Sequence, residues 1–473
     1  MVRTRNSGWS VSYWMLVIAL MASITANAQK QANVWYFGGA AGLTFNTSPP
    51  SGIDGGQTYS PAPNLWNEGT SSLCDISGSL LYYSNGTKVW NRMHQVMLNG
   101  SDLKGHPSST AAALIIPRPR SERFAHVFTT DASENDFRNG MRHSVIDACL
   151  GNDMGDIVET EKNILLHGNM AEKLAAVQHA NGIDYWVVGH EYGSNVFHVY
   201  LLTEYGVTDS LSIALGRSET IGWGGQMVFS PNGSTLAYAS ASSLGFMALY
   251  DFNTSNGMIS NARNWNSTID HMVWGLAFSP DGSKLYLTTS NQGSLRQLDM
   301  NANTWSDFQA SEVNLGQLTP SYWMDLRLGP DELIYVTHAQ SQTLGRINYP
   351  NAQGITCQFQ DNSVPLIGTC SFGLPNVIAG YAYGNTFPPC GEPISPEIIL
   401  GPNPAAEQIS VRCGPCTIDD LMITDVSGRI VYSGFSSAVY EKTLDVSSLA
   451  TGTYQISFRI DEDQRHTKRF VKQ

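Results

Sequence analysis

Two stretches of this chain say nearly the same thing 49 residues apart: FSPNGSTLAYAS from Phe229 and FSPDGSKLYLTT from Phe278. A looser third copy, LRLGPDELIYVTH, places Pro330 a further 50 residues on from Pro280. A turn that returns at a fixed interval means a chain built from copies of one unit. Before each proline the apolar residues alternate, as Met227 and Phe229, Leu276 and Phe278, Leu326 and Leu328. That two-residue period is a strand. Pro-Asn-Gly and Pro-Asp-Gly then reverse the chain, proline presetting φ and glycine accepting the left-handed position. The third turn is two residues shorter and lacks glycine, so that hairpin needs another closure.

Further strands complete each unit: FMALYDF, SLRQLDM and LGRINYP follow their prolines at similar distances. Upstream the pattern is weaker but present. LAAVQHANGIDYWVVGHEYGSNVFHVYLLT turns at Asn181-Gly182, and Phe197 precedes Phe246 by 49 residues. LCDISGSLLYYSNGTKVWN and AAALIIPRPRSERFAHVFTTD make six units between about Leu73 and Ile367. FGLPNVIAGY, from Phe372, reads as one more inner strand without partners downstream; VWYFG and GLTFN near the N-terminus can supply them. Joining first and last strands into a ring leaves no exposed sheet edge. The expectation is a seven-bladed β-propeller over residues 29–385, with six and eight blades as the alternatives. A stacked solenoid needs shorter periods.

The ends read differently. Arg3 and Arg5 precede the apolar run WMLVIALMASITA, and Ala26-Asn27-Ala28 suits a signal peptidase, so residues 1–28 are expected to be a secretory signal peptide. No later segment is apolar enough to span a bilayer as a helix. Removing the two arginines takes 27 basic residues to 25 against 40 acidic ones, a net charge of −15. With no basic excess, nucleic acid is not an expected partner. GNTFPPCGEPISPEI gives a proline-rich linker over 386–399. Residues 400–473 hold short alternating strands, LMITDV, RIVYSG, KTLDV and TYQISFRI, with a hairpin turn at Asp425-Val426-Ser427-Gly428. They read as a small immunoglobulin-like β-sandwich, so the whole chain is all-β.

In this tail Gly401-Pro402-Asn403-Pro404, ITDVSGRIVYSG, LDVSSLATGTYQISF and the basic ending around Lys468 and Arg469 follow one another in a characteristic order. The tail resembles a type IX secretion C-terminal sorting domain. The resemblance implies a Bacteroidota cargo that crosses the inner membrane by its signal peptide and the outer membrane by this domain. The type IX machinery would be the partner of residues 400–473, and the destination secreted or outer-membrane surface. In this family the domain is usually removed and the cargo may be joined to lipopolysaccharide. NVWYFGGAAGLTFN, GHPSSTAAALIIPRP, EKLAAVQHANGIDYWVV and FGLPN similarly resemble propeller modules carried by such cargo, which imports little function.

Export permits disulfides among seven cysteines. Cys357 and Cys370 flank a short loop and are the expected bridge, while pairing of Cys74, Cys149 and Cys390 is not readable. Cys413-Gly414-Pro415-Cys416 has thioredoxin spacing, but it lies between strands, where a local disulfide or two thiols suits better than redox work.

Ligands of propellers meet by analogy at the channel mouth, near the loops that lead into the inner strands. The residues there form a candidate ring: Glu68, His106, Glu172, Lys173, Trp223, Trp274, Trp323 and Phe372. Indole faces stack on sugar rings while carboxylates hold hydroxyls, so an extracellular glycan suits the ring; the competing reading is that each Trp packs between sheets. His179, His190, His126, His143, His271 and His338 show no metal-ligand spacing, and no metal or cofactor is expected. Gly-x-Ser-x-Gly is absent, and no catalytic residue is assigned. The expectation is a binding or adhesion module. The alternatives are a hydrolase or lyase on an extracellular carbohydrate or lactone, and a scaffold for a protein partner.

Overall fold

The computed structural model describes residues 30–58, 67–121, 123–218, 222–241, 246–266, 272–289, 293–318, 323–383, 397–414, 418–434, 441–460 and 464–473. The expected signal peptide, nearly all of the expected linker, His271, Cys390 and Cys416 lie outside them.

The repeat forms the hairpins its sequence asks for. Phe229 pairs with Leu236, and Phe278 with Leu285. In both turns the serine after phenylalanine is bonded across the hairpin, Ser230 N–H to Thr235 and Ser279 N–H to Lys284. Gly233 and Gly282 hold φ of 74° and 72°, where a side chain would be strained. The third turn is one residue shorter between paired strands, not two: Leu328 pairs with Ile334, and Leu333 belongs to the turn. Its closure comes from Gly329 N–H to Leu333 and Glu332 N–H to Gly329, with Glu332 at φ 65° in the place of the glycine.

Seven antiparallel sheets follow around one axis. Their inner strands are Ser71–Cys74, Ala113–Pro117, Met170–Gln178, Met227–Phe229, Val273–Phe278 and Leu326–Leu328 for blades one to six. Blades three to six have four strands each, blade one has three and blade two has five. Both faces of a blade are covered by neighbours. Val177, Val188 and Phe197 of blade three, for example, share one core with Phe229, Tyr238 and Tyr250 of blade four. This double burial is why KLYLTT is buried throughout although its polar residues alternate with apolar ones.

The seventh blade joins the two ends of the propeller. Val34–Phe37 and Gly39–Thr44 pair with each other, and the second pairs with Ile367–Thr369. Trp35 and Phe37 pack toward Tyr335 and Leu344 of blade six, while Val34 and Tyr36 pack toward Tyr83 and Trp90 of blade one. The expected inner strand from Phe372 needs correction. The segment occupies the inner position but is not a regular strand; its one bridge is parallel, Thr70 to Pro375. Pro375 has no N–H to give a ladder. A Cβ on Gly373 would overlap the Glu68 carbonyl.

Instead the segment runs into the axis. Asn376 donates to the Ala113 carbonyl of blade two and accepts from Arg327 of blade six. Arg327 also reaches Asp325 at 3.1 Å and Gln226 at 3.3 Å, and Asp325 accepts the Leu374 N–H at 2.9 Å. Beyond it Gly380 lies on Pro231 and Tyr381 donates to the Leu328 carbonyl. The axis is therefore stoppered at the end bearing the repeat turns, leaving a cavity of about 60 Å³ against Leu174, Met227, Leu276 and Leu326.

The tail is a sandwich of two sheets, Glu397–Gly401, Gln408–Gly414 and Glu441–Asp445 against Ile430–Gly434, Ile418–Asp425, Gly452–Ile460 and Gln464–Lys472. Its first strand begins within the stretch expected as linker, and its basic ending is a full strand paired along Gly452–Ile460. Ile409, Val411, Ile423, Ile456, Phe458 and Phe470 fill its core. The predicted turn holds, Gly428 N–H bonding Asp425 with φ 83° at the glycine.

Two cysteine expectations are settled by position. Cys357 and Cys370 are both free buried thiols, as is Cys74, so the expected bridge does not form. Cys370 Sγ lies 2.6 Å from the His338 carbonyl instead, and burial raises both thiols above their ordinary pKa. Cys413 stands in a strand rather than at a helix N-terminus, and neither it nor Cys149 is a free thiol.

Candidate site at the propeller mouth

The end opposite the stopper is ringed by the residues that lead into the inner strands, tied blade to blade through the backbone. Glu68 N–H bonds the Pro107 carbonyl, Glu172 N–H bonds Trp223, Gln226 N–H bonds Trp274 and Asp325 N–H bonds Phe372. Four of the strand starts thus hang on the next blade, which fixes the side chains of the ring there.

Half the ring is aromatic. Trp223 meets Trp274 and Trp323 edge to face, with centroids 6.0 and 6.1 Å apart. Trp274 and Trp323 stack at 5.2 Å, and Trp323 meets Phe372 at 5.7 Å. These four rings bury one another. Trp274 is only 1% exposed, the packing role that competed with sugar stacking. Trp223 and Trp323 keep partial exposure.

The other half is acidic. Glu172 Oε2 accepts from the Thr110 N–H and hydroxyl at 2.9 and 3.0 Å, and its Oε1 accepts the Ser133 N–H at 3.0 Å. Ser108 Oγ donates to Glu134 Oε1 at 2.6 Å and lies 3.3 Å from Glu68 Oε1. Glu68 Oε2 is buried with no hydrogen-bond partner among the described residues. Burial holds the Glu68 carboxyl well above the usual carboxylate range, with Glu172 and Glu134 adding repulsion. Burial likewise pushes Glu172 up to about 7, against the lowering effect of its Thr110 and Ser133 donors. His106, half-exposed, accepts the Ser108 N–H on Nδ1. The halves touch at both ends: a Cβ on Gly224 would meet both Trp274 and the Thr110 hydroxyl, and one on Gly373 would meet Glu68.

Of the eight sequence-selected residues, seven come together. Lys173 does not face the mouth. Adjacent residues of a strand point to opposite faces, so with Glu172 turned toward blade two, Lys173 turns toward blade four. There its Nζ donates to the Gly224, Gly225 and Ala239 carbonyls and lies 4.9 Å over the Tyr238 ring. Sequence reasoning missed Glu134, Ser108 and Ser133. Glu134 follows the second strand of blade two, Phe124–Thr130, and antiparallel pairing returns that strand's end to the mouth beside His106. Considering both loops at that end of each blade would have found it.

His126, His143 and His190 are buried in blade strands. His126 and His143 share an Nδ1 contact of 3.3 Å, with Arg118 Nε donating to His126; burial lowers His143 to about 4. His190 is lowered to about 3, mainly by burial. Among the described residues no three metal-type side chains form a cluster, and no helix is long and apolar enough to cross a membrane.

Comparison with known proteins bears mainly on the tail. Residues 400–473 match the profile of the secretion system C-terminal sorting domain. No curated protein matches the chain. Among solved structures, a candidate 6-phosphogluconolactonase from Bacteroides uniformis is 14% identical, covering 73% of this chain and 99% of its own, with a TM-score of 0.49. Kluyveromyces lactis Hsv2p is 14% identical over 56% of this chain and 73% of its own, with a TM-score of 0.33. Likenesses this distant carry nothing about activity. Sheets and tail together describe a secreted or cell-surface protein, a seven-bladed propeller bearing a type IX secretion C-terminal sorting domain.

Proposed function

We propose that the exported propeller is a binding module that takes an extracellular carbohydrate at its mouth. The observation that carries this reading is the division of one ring into an aromatic arc and a carboxyl arc. A sugar has an apolar face and a polar rim, and such a ring meets both. Trp223 and Trp323, the partly exposed indoles, supply the stacking surface; Glu134 and His106 supply acceptors and donors for hydroxyls. Trp274 serves as their support.

Glycan arrays probed with the secreted protein test this. Trp223→Ala and Trp323→Ala should each weaken binding roughly tenfold. Retention of full affinity in both would remove the mouth as the binding place, and a protein partner on another face would then be the better reading.

A second reading rests on one observation: Glu172 near 7 shares the mouth with the exposed Glu134, for which Ser108 is a donor. A carboxyl whose pKa is raised by burial can serve as the acid in glycoside cleavage, with a second carboxyl nearby. Release of product from a bound glycan, lost in Glu172→Gln, would favour a hydrolase over a pure binder.

A further inference from the structure

We infer that the mouth is selective for a carbohydrate bearing a free ammonium group, an unacetylated amino sugar, over neutral or N-acetylated sugars. This rests on the carbohydrate reading above and narrows it.

Ser108 has one hydroxyl proton, and two carboxyl groups lie within its reach. Its 2.6 Å contact to Glu134 is the short one, and the 3.3 Å contact leaves Glu68 Oε1 weakly served. Glu68 Oε2, on a side chain 3% exposed, has no partner among the described residues. Glu68 feels the charges of both Glu172 and Glu134, so its carboxyl faces the cluster. The arc thus holds more acceptor sites than its own donors fill. An alkylammonium carries three donors, no acceptor and a compensating charge.

The aromatic arc adds a second attraction of the same sign. Indole faces draw cations, and the trio of Trp223, Trp274 and Trp323 abuts the carboxyl arc at Gly224. A sugar stacked on Trp323 or Trp223 therefore has the carboxyl arc at its rim. N-acetylation removes the positive charge and two of the three donors. The titratable groups beside Glu68 and Glu172 are Glu134, half-exposed His106, and Lys173 behind Glu172.

Calorimetry on the secreted protein at pH 6 decides it, with chitosan tetraose, its fully N-acetylated counterpart and cellotetraose as probes. The free amine should bind at least about tenfold more tightly than the N-acetylated sugar. That preference should shrink to within about twofold in Glu134→Gln, and an unchanged urea-denaturation midpoint shows that the variant is folded. Trp323→Ala should weaken all three. If the three sugars bind equally, the ammonium inference falls and the carbohydrate reading stands. If none binds, both fall.

Discussion

The Asp325 N–H donates to the Phe372 carbonyl at 3.1 Å, the link that brings the last inner segment of the propeller beside its sixth blade. On the far side Glu68 crowds Gly373 and Thr70 bridges Pro375. Closure of the ring thus joins Thr70 to Pro375, 305 positions apart in the chain.

Gly373→Ala should be among the more damaging small substitutions. The new methyl group would meet backbone rather than a yielding side chain, so a loss of about 3 kcal/mol is expected. Urea denaturation of the two proteins measures it, and an unchanged midpoint would show that the seam is looser than described.

Arg327→Met should also destabilise, by about 3–5 kcal/mol, because it strands the buried Asp325 carboxylate and breaks the tie to Asn376. Adding Asp325→Asn should recover part of the loss, since the stranded charge goes with it. A double-mutant cycle with no coupling would contradict the network.

Glu172 should make stability fall as pH rises. Its folded pKa of about 7 lies above its ordinary value, so its contribution is full at low pH and is lost between roughly 4.5 and 7. His143 and His190 act oppositely: held neutral in the fold, they raise stability as pH climbs toward 6.5. Total stability mixes these, so the measurement is the wild-type difference from Glu172→Gln. That difference should change by up to about 3 kcal/mol across the window and be flat above it.

Alkylation without reduction should label Cys74, Cys357 and Cys370 completely once the chain is unfolded. A peptide joining Cys357 to Cys370 would overturn the assignment. The loop between them is short, yet spacing in sequence says nothing of where two Sγ atoms point.

Deleting residues 400–473 should leave the chain in the periplasm, because the match to the sorting domain spans the whole deletion. Surface or medium fractions still holding the truncated protein would show another route.

The blades and the sandwich were legible because each is local. Alternating apolar residues around a Pro-x-Gly turn specify a hairpin within a dozen positions, and repetition multiplies the signal. The ring Trp223, Trp274, Trp323, Phe372 could be located by counting from those turns. Lys173 failed because counting places a residue at the mouth without saying which face it takes. Glu134 escaped because its loop belongs to the other half of the hairpin.

What the amino-acid order determined by itself was the repeated strand-turn-strand unit, the address at the C-terminus and which positions lead into the inner strands. Only the tertiary fold decided that Phe372–Tyr383 would plug the axis, that Cys357 and Cys370 would stay apart, and that Glu68 would be buried short of donors. Those outcomes depend on groups from several blades meeting across one axis, and no local pattern encodes how such distant surfaces share space and hydrogen bonds.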